Sequence, residues 1–86
     1  MRIALVRWVD AESHNEPFTL EEARAAGCPR MESVGWLADE NAERVVLATD
    51  RCIGEDYMRC QHTIPWGMIE VFTLLPEPEK QPARKR

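Results

Sequence analysis

Residues 31–50 read MESVGWLADENAERVVLATD, and this stretch decides the fold of the chain. Two apolar runs, 34–38 and 45–48, flank the polar segment 39–43. β-Branched and aromatic residues fit a pleated, half-buried surface, whereas Asp and Asn suit a turn. The pattern predicts a β-hairpin with a loop of about five residues. We expect this hairpin to form the centre of a small sheet to which the other strands pair.

Three further segments predict strands around the hairpin. Residues 2–9 alternate between two faces that are both largely apolar, which is typical of a strand buried on both sides in a barrel. Residues 59–64 and 68–75 predict two more strands, separated by the breaker sequence Pro-Trp-Gly. Gly35 lies inside the first hairpin strand, where glycine is unfavourable unless the chain bends or another group approaches closely. In a small barrel we expect the bend.

One helix is predicted between the first and second strands, over residues 20–26. Thr19 and Glu22 have the spacing of a capping box, in which the hydroxyl accepts from the Glu22 amide. A glycine at the end of the helix and a proline two residues later terminate it. Such a short helix is not stable alone, so we expect Leu20 and Ala23 to pack on the sheet.

The order of these elements is the layout of an SH3-like (Sm-like) barrel, which has five short strands and a tight, near-helical turn before the last. We therefore predict a mainly β domain over residues 1–75, a five-stranded barrel with one short helix between strands 1 and 2. Closure of the barrel would remove the open sheet edges. Residues 76–86 hold three prolines and no large apolar group, which predicts a disordered basic tail.

Composition excludes several classes of function. The 86 residues carry a net charge of -4; residues 76–86 contribute four cations and two carboxylates, so residues 1–75 carry -6. An acidic domain repels phosphate backbones, and we expect no nucleic-acid binding. No apolar run is long enough to span a membrane. An odd number of cysteines and the early charges at Arg7 and Asp10 predict a cytoplasmic protein. A core this small leaves a homo-oligomer possible.

Three short motifs resemble a group of small proteins encoded by bacteriophages and prophages, most of which have no assigned function. The motifs are Trp8-x-Asp10-x-x-Ser13-His14, Val34-Gly35-Trp36-Leu37 and Ile64-Pro65-x-Gly67-x-Ile69, and the resemblance covers residues 3–75. It implies a phage accessory protein with a small barrel, acting in the cytoplasm of an infected or lysogenic bacterial cell. It transfers no catalytic residue, and Trp66 stands where that group carries a charged residue.

Two sets of side chains have donor atoms for a metal but lack the spacing of a metal site. The first set crowds one loop without a glycine that would let the chain wrap an ion. The second contains only one close pair, whereas structural zinc usually draws its ligands from tight pairs. We therefore expect neither a metal nor a cofactor. The two sets are Asp10, Glu12, His14 and Glu16, and Cys28, Cys52, Cys60 and His62.

Catalysis has weak support in the sequence. Cys60 with His62 or His14 would supply a nucleophile and a base. Neither combination brings a donor for an oxyanion, and a domain of this size offers little depth for a pocket. We expect that the protein is not an enzyme.

Aromatic and arginine side chains are the best candidates for recognition. Arg51 and Arg59 flank the loop between the third and fourth strands, where they would bind a phosphate or carboxylate, or pair with Glu55 and Asp56. The tryptophans would fill the core or stack on a ligand ring. The candidate ligand- or partner-binding residues are Trp8, Asp10, Ser13, His14, Trp36, Arg51, Arg59 and Trp66.

Two functional hypotheses follow, from different classes. The first is a non-enzymatic phage accessory module that docks a host or phage protein through the barrel rim. The alternative is an oligomeric sponge that sequesters a small anionic ligand, such as an immune signalling nucleotide. In it, Arg51 or Arg59 would hold a phosphate while a tryptophan stacks the base. A third reading, an RNA-binding Sm-like ring, is disfavoured by the acidic body.

Overall fold

The computed structural model describes residues 1–77. It confirms a mainly β domain of five strands with one α-helix between the first two. A 3₁₀ turn (Trp66–Met68) precedes the last strand. Part of the predicted tail, residues 78–86, lies outside the described residues. The elements are β1 (Ile3–Val9), α1 (Leu20–Ala25), β2 (Arg30–Glu40), β3 (Arg44–Arg51), β4 (Met58–Pro65) and β5 (Ile69–Leu75).

The five strands form one antiparallel sheet in the order β4-β3-β2-β1-β5. Strand β1 lies between β2 and β5, with Val6 opposite Ser33 on one side and Phe72 on the other. Strand β2 is shared between two neighbours: its first part pairs with β1, and its second part, from Trp36 onward, pairs with β3. The sheet therefore changes direction along β2.

The sheet is strongly curved. Strands β4 and β5 are its two edges, yet only the 3-residue turn Trp66–Met68 connects them. The rings of Trp8 in β1 and His62 in β4 meet edge to face at 5.0 Å between centroids. In a flat sheet these strands would lie about 14 Å apart, at ~4.8 Å for each strand spacing. The sheet therefore wraps around an interior.

A closed barrel would require hydrogen bonds between the edge strands β4 and β5 in addition to this curvature. In the part of the chain that the structure describes, no hydrogen-bonded ladder joins β4 to β5. Both edges nevertheless contribute to one core, since Ile64 of β4 is buried in it while Ile69 and Phe72 of β5 pack against it. The open, curved sheet is thus shown, whereas the SH3-like (Sm-like) barrel remains a prediction.

The core occupies the inner face of the curved sheet. Successive residues of a strand point to opposite faces, so alternate positions of β1 and β3 enter it. Apolar side chains fill these positions, and Trp66 of the 3₁₀ turn covers one side. The buried members are Ala4, Val6, Trp8, Val45, Leu47 and Ile64.

The β2–β3 loop is shorter than predicted, because β2 continues to Glu40 and leaves three residues before β3 begins. The Asn41 side-chain oxygen accepts from the backbone amides of Glu43 at 2.8 Å and Arg44 at 3.0 Å. Arg44 also forms an ion pair with Asp39 at 2.8 Å. These local bonds hold a tight turn, which a pattern of apolar runs does not reveal.

Gly35 allows two strands to approach closely. A Cβ atom at this position would lie 2.7 Å from the Ala48 carbonyl oxygen and 3.4 Å from Leu47 Cβ. The site lies next to the Trp36–Ala48 pair, where β2 begins to pair with β3. Of the two reasons for a glycine here, the structure shows the close approach of another group.

The expectation that α1 packs on the sheet is wrong. Its cap forms as predicted, with the Glu22 amide donating to Thr19 Oγ1 at 3.1 Å, and the Thr19 hydroxyl also meets the Glu22 carboxylate at 3.2 Å. None of the residues in α1 is buried, however, and Leu20 is 66% exposed. Strand residues and the 3₁₀ turn already fill the inner face, which leaves no core position for the helix.

Candidate functional site

Residues 10–29, here called the arm, connect β1 to β2 and extend from one end of the sheet. The arm is closed at its base, where the Asp10 amide donates to the Pro29 carbonyl oxygen at 2.9 Å. Asp10 and Pro29 are half-buried, whereas every residue from 11 to 28 is exposed. The arm is therefore a projection with a fixed base and a solvent-exposed body.

Two large apolar side chains lie at the start of α1 and face solvent. Phe18 is 73% exposed and Leu20 is 66% exposed. Beside them, the loop and the helix enclose an open groove of about 540 Å³. The groove combines apolar side chains with carboxylates. Its lining residues are His14, Glu16, Pro17, Phe18, Glu22, Ala23 and Ala26.

The arm is strongly acidic. Residues 10–29 contain five carboxylates and one arginine, a net charge of -4 with His14 neutral. In the loop that precedes α1, His14 Nε2 lies 3.3 Å from a Glu12 carboxylate oxygen. Phe18 and Leu20 are thus an exposed apolar pair surrounded by negative charge. They would fit a partner surface that is apolar at its centre and cationic around it.

Three of the sequence-predicted binding residues, Asp10, Ser13 and His14, fall in the arm. The more prominent pair, Phe18 and Leu20, is not among the binding residues predicted from the sequence. A signal for it was present: a helix of this length cannot provide a tertiary core by itself, so apolar residues at its start need a partner outside it. We expected Leu20 to find that partner in the sheet, whereas the structure leaves both Phe18 and Leu20 exposed.

Trp36 and Arg51 are also brought together, on the outer face of the sheet. The Arg51 guanidinium carbon lies 5.0 Å from the centroid of the Trp36 ring, a cation–π contact. Arg59 is not part of this group. It pairs with Asp50 at 3.7 Å, the residue directly opposite it in the β3–β4 ladder, and not with Glu55 or Asp56.

Trp8 and Trp66 are engaged inside the fold. Trp8 is 8% exposed and donates its indole N–H to Ser33 Oγ at 3.0 Å. Trp66 donates its indole N–H to the Asn41 carbonyl oxygen at 2.7 Å and meets Phe72 edge to face at 5.2 Å. Trp66 thus fastens the 3₁₀ turn to the β2–β3 loop. Both indole N–H groups therefore donate hydrogen bonds to groups within the fold.

A second apolar surface, here called the outer patch, lies on the outer face of β5, β1 and β2. Two of its members, Val34 and Val71, are exposed, and the others are half-buried. Cross-strand pairing builds it in rows, with Ile3 between Trp36 and Leu75, and Leu5 next to Val34. Val34 is 55% exposed. Because both faces of β1 are apolar, the sequence predicts a strand buried on both sides, as in a barrel; in the structure Ile3 and Leu5 on the outer face are half-buried. The outer patch consists of Ile3, Leu5, Val34, Trp36, Val71 and Leu75.

Two arginines lie at the Trp36 end of the outer patch. Arg51 covers the Trp36 ring, and Arg2 donates to the Leu75 carbonyl oxygen at 3.3 Å. Neither forms an ion pair with a carboxylate of residues 1–77. At the other end, the cation of Arg7 is neutralised by Glu32 at 2.7 Å. The outer patch is therefore apolar in the middle and cationic at one end.

Arg51 also lines an open groove of about 460 Å³ between the N-terminus and the β3–β4 loop. Two carboxylates, Glu55 and Asp56, line the same groove and oppose the binding of an anion. Interaction with the Cys52 side chain raises the pKa of the Tyr57 phenol above its ordinary value.

Where β2 and β3 separate, a small cavity of about 180 Å³ brings Ser33, Cys60 and His62 together. His62 Nδ1 lies 3.5 Å from Ser33 Oγ, which already accepts from Trp8. Cys60 has a φ of 60°, in the left-handed region. A Ser–His contact without an orienting carboxylate is an incomplete catalytic arrangement.

Residues 1–77 contain no group of three or more His, Cys, Asp or Glu side chains placed to hold a metal ion. The two sets of donor side chains noted in the sequence are therefore not assembled into such a group, and Cys28, Cys52 and Cys60 are all free thiols. Over the same range, no helix has the length and apolar character needed to cross a membrane.

Comparison with known proteins adds no relative: no protein-family model, curated protein or solved structure matches the chain. Two surfaces stand out in the geometry described above. They are the acidic arm, on which Phe18 and Leu20 are exposed, and the outer patch, whose Arg2 and Arg51 form no ion pair within residues 1–77. Both are surfaces suited to contact with another molecule.

Proposed function

We propose that this protein is a non-enzymatic binding module that docks another protein through the arm. One observation carries the proposal: Phe18, directly before the cap of α1, is 73% exposed, and Leu20, the first residue of α1, is 66% exposed on a helix that has no buried residue. A helix of 6 residues is marginal in water, and its cap contributes only about 1 kcal/mol. A partner that covers these side chains would supply the missing packing.

The chemistry of the arm defines the kind of partner. Burial of Phe18 and Leu20 would contribute about 3–6 kcal/mol before the cost of ordering the arm is subtracted. The net charge of -4 favours lysine and arginine around the receiving groove. The partner is therefore a protein with an apolar groove and a basic rim, which receives the start of α1 as a helix-in-groove contact.

The curved sheet is the scaffold for this contact, and we infer that it is an SH3-like (Sm-like) barrel. The strand order β4-β3-β2-β1-β5, the 3₁₀ turn before β5 and the shared core support this fold. The arm leaves one rim of that barrel. The resemblance to small phage and prophage proteins makes a host or phage protein in the bacterial cytoplasm the expected partner.

A second candidate function is sequestration of a small anionic ligand by an oligomer. One observation favours it: Arg51 lies on the Trp36 ring without a carboxylate partner among residues 1–77. An arginine held this way would bind a phosphate while the indole supports a base. Native mass spectrometry should then show a nucleotide retained by the purified protein and lost in Arg51→Ala. An unliganded mass for the wild-type protein would contradict this function.

Affinity capture tests docking through the arm. Immobilised wild-type protein should retain one other protein, in a stoichiometric amount, from a lysate of the cells that naturally contain it. The double variant Phe18→Ser/Leu20→Ser should not retain that protein. Ile53→Ser is the matched control, because Ile53 is apolar, 88% exposed and outside the arm. Higher salt should weaken retention, since the arm is acidic. Equal retention by the arm variant, or no stoichiometric protein, would contradict the proposal.

A further inference from the structure

We infer that, when no other partner is present, the arm docks on the outer patch of a second copy of this chain. Two chains would exchange their arms about a two-fold axis. The inference rests on the proposed role of the arm as a docking element. It names the surface that the arm contacts when no other partner is bound. The observation behind it is that residues 1–77 present both an exposed apolar projection and a partly exposed apolar sheet face.

The two surfaces match in polarity. Phe18 and Leu20 are exposed at the start of α1. In the outer patch, Val34 is 55% exposed and lies opposite Leu5, on the part of β2 that does not pair with β3. Sheet faces that stay in water are normally polar, since only the inner face has a core to cover. An apolar row on the outer face therefore indicates that another surface covers it.

The two surfaces also match in charge. Glu21 and Glu22 lie in the first turn of α1, beside the exposed apolar pair. Arg2 and Arg51 lie at one end of the outer patch and form no ion pair within residues 1–77. Docking would place carboxylates near these cations, which favours one orientation of the arm over its reverse.

Interface area explains why the exchange should be reciprocal. With Phe18 and Leu20 at 73% and 66% exposed, one docked arm and its receiving surface bury about 500 Å², at ~200 Å² for a large side chain. A specific interface needs about 1,000 Å² or more. Two arms exchanged about a two-fold axis reach that value, whereas one arm does not. The exchange predicts a weak, reversible dimer that a tighter partner of the arm would dissociate.

Sedimentation velocity from about 1 to 200 µM, the range expected for so small an interface, tests the inference. The wild-type protein should be a concentration-dependent dimer. Phe18→Ser/Leu20→Ser in the arm and Val34→Lys in the outer patch should each raise the dissociation constant at least tenfold. Ile53→Ser should leave the dissociation constant unchanged. Circular dichroism should show each variant folded, because all four side chains are exposed.

Charge reversal tests the orientation of the arm. Arg51→Glu should weaken the dimer about fivefold, and the additional change Glu21→Arg/Glu22→Arg should restore most of the loss. A wild-type protein that stays monomeric over the whole range, or arm and patch variants that dimerise as the wild type does, would overturn the inference. A monomer that still captures a partner through the arm would contradict the exchange of arms but not the proposed function. A dimer that captures no partner would contradict the proposed function but not the exchange of arms.

Discussion

Replacement of Gly35 by alanine tests whether the strands approach as closely as the structure indicates. The added Cβ would lie 2.7 Å from the Ala48 carbonyl oxygen, a separation that real Cβ atoms essentially never show. The obstacle is backbone, and Ala48 is held in ladders on both sides, opposite Trp36 and Gln61. Relief would therefore require β2 and β3 to move apart where β2 begins to pair with β3.

The expected magnitude follows from two opposing terms. Overpacking against a constrained neighbour costs about 1–3 kcal/mol. Gly→Ala also restricts the unfolded chain, which returns about 0.4–1 kcal/mol. We therefore expect Gly35→Ala to lower the free energy of unfolding by about 1–2 kcal/mol. Gly67→Ala is the matched control, since nothing lies within 4 Å of its added Cβ, and it should raise the free energy of unfolding slightly.

Urea unfolding followed by tryptophan fluorescence measures both variants. With an m-value of about 1 kcal/mol/M for a domain of this size, the Gly35→Ala midpoint should fall by about 1–2 M. The m-value itself should not change. If Gly35→Ala unfolded at the wild-type midpoint, or moved in the same direction as Gly67→Ala, the close approach of β2 and β3 would be refuted.

Three other expectations follow from individual contacts. Leu20→Ala should change the free energy of unfolding by less than about 0.5 kcal/mol, whereas Leu47→Ala in the core should cost about 2–5 kcal/mol; equal costs in urea titrations would show that α1 packs on the sheet. Trp66→Phe loses an indole hydrogen bond and should cost about 1 kcal/mol in the same assay, and a neutral result would remove its fastening role. Tyr57 is the single tyrosine, so absorbance titration should give a pKa above the ordinary phenol value, and Cys52→Ala should lower that pKa; an unchanged titration would exclude an effect of Cys52 on the phenol.

Local chemistry and periodicity predicted much of the fold. Alternation identified β1, and two apolar runs identified the β2–β3 hairpin. The Thr19–Glu22 spacing placed the helix start, because a cap is made within four residues. The sequence did not predict that β2 begins at Arg30. The first residues of this strand are mostly polar, and they belong to the sheet only because they pair with β1. The three-residue loop depends on Asn41 side-chain bonds, which hydropathy does not encode.

The candidate site was less predictable, because it depends on which apolar residues stay uncovered. Phe18 and Leu20 look like core residues in the sequence, and only the filled inner face shows that they have no place there. The apolar alternation in β1 was correct, but one of its two faces became the outer patch. Trp66 looked suited to recognition, whereas its indole bonds to the β2–β3 loop. Burial is a property of the whole chain, and a local pattern does not determine it.

The central claim is that the arm contacts another molecule and not its own sheet. A photo-crosslinking phenylalanine analogue in place of Phe18 tests this claim most directly. Irradiation of the folded protein at micromolar concentration, alone and in cell lysate, followed by mass spectrometry, identifies what the side chain meets. The account predicts adducts that join two protein molecules. Cross-links confined to strand residues of the same chain would contradict it.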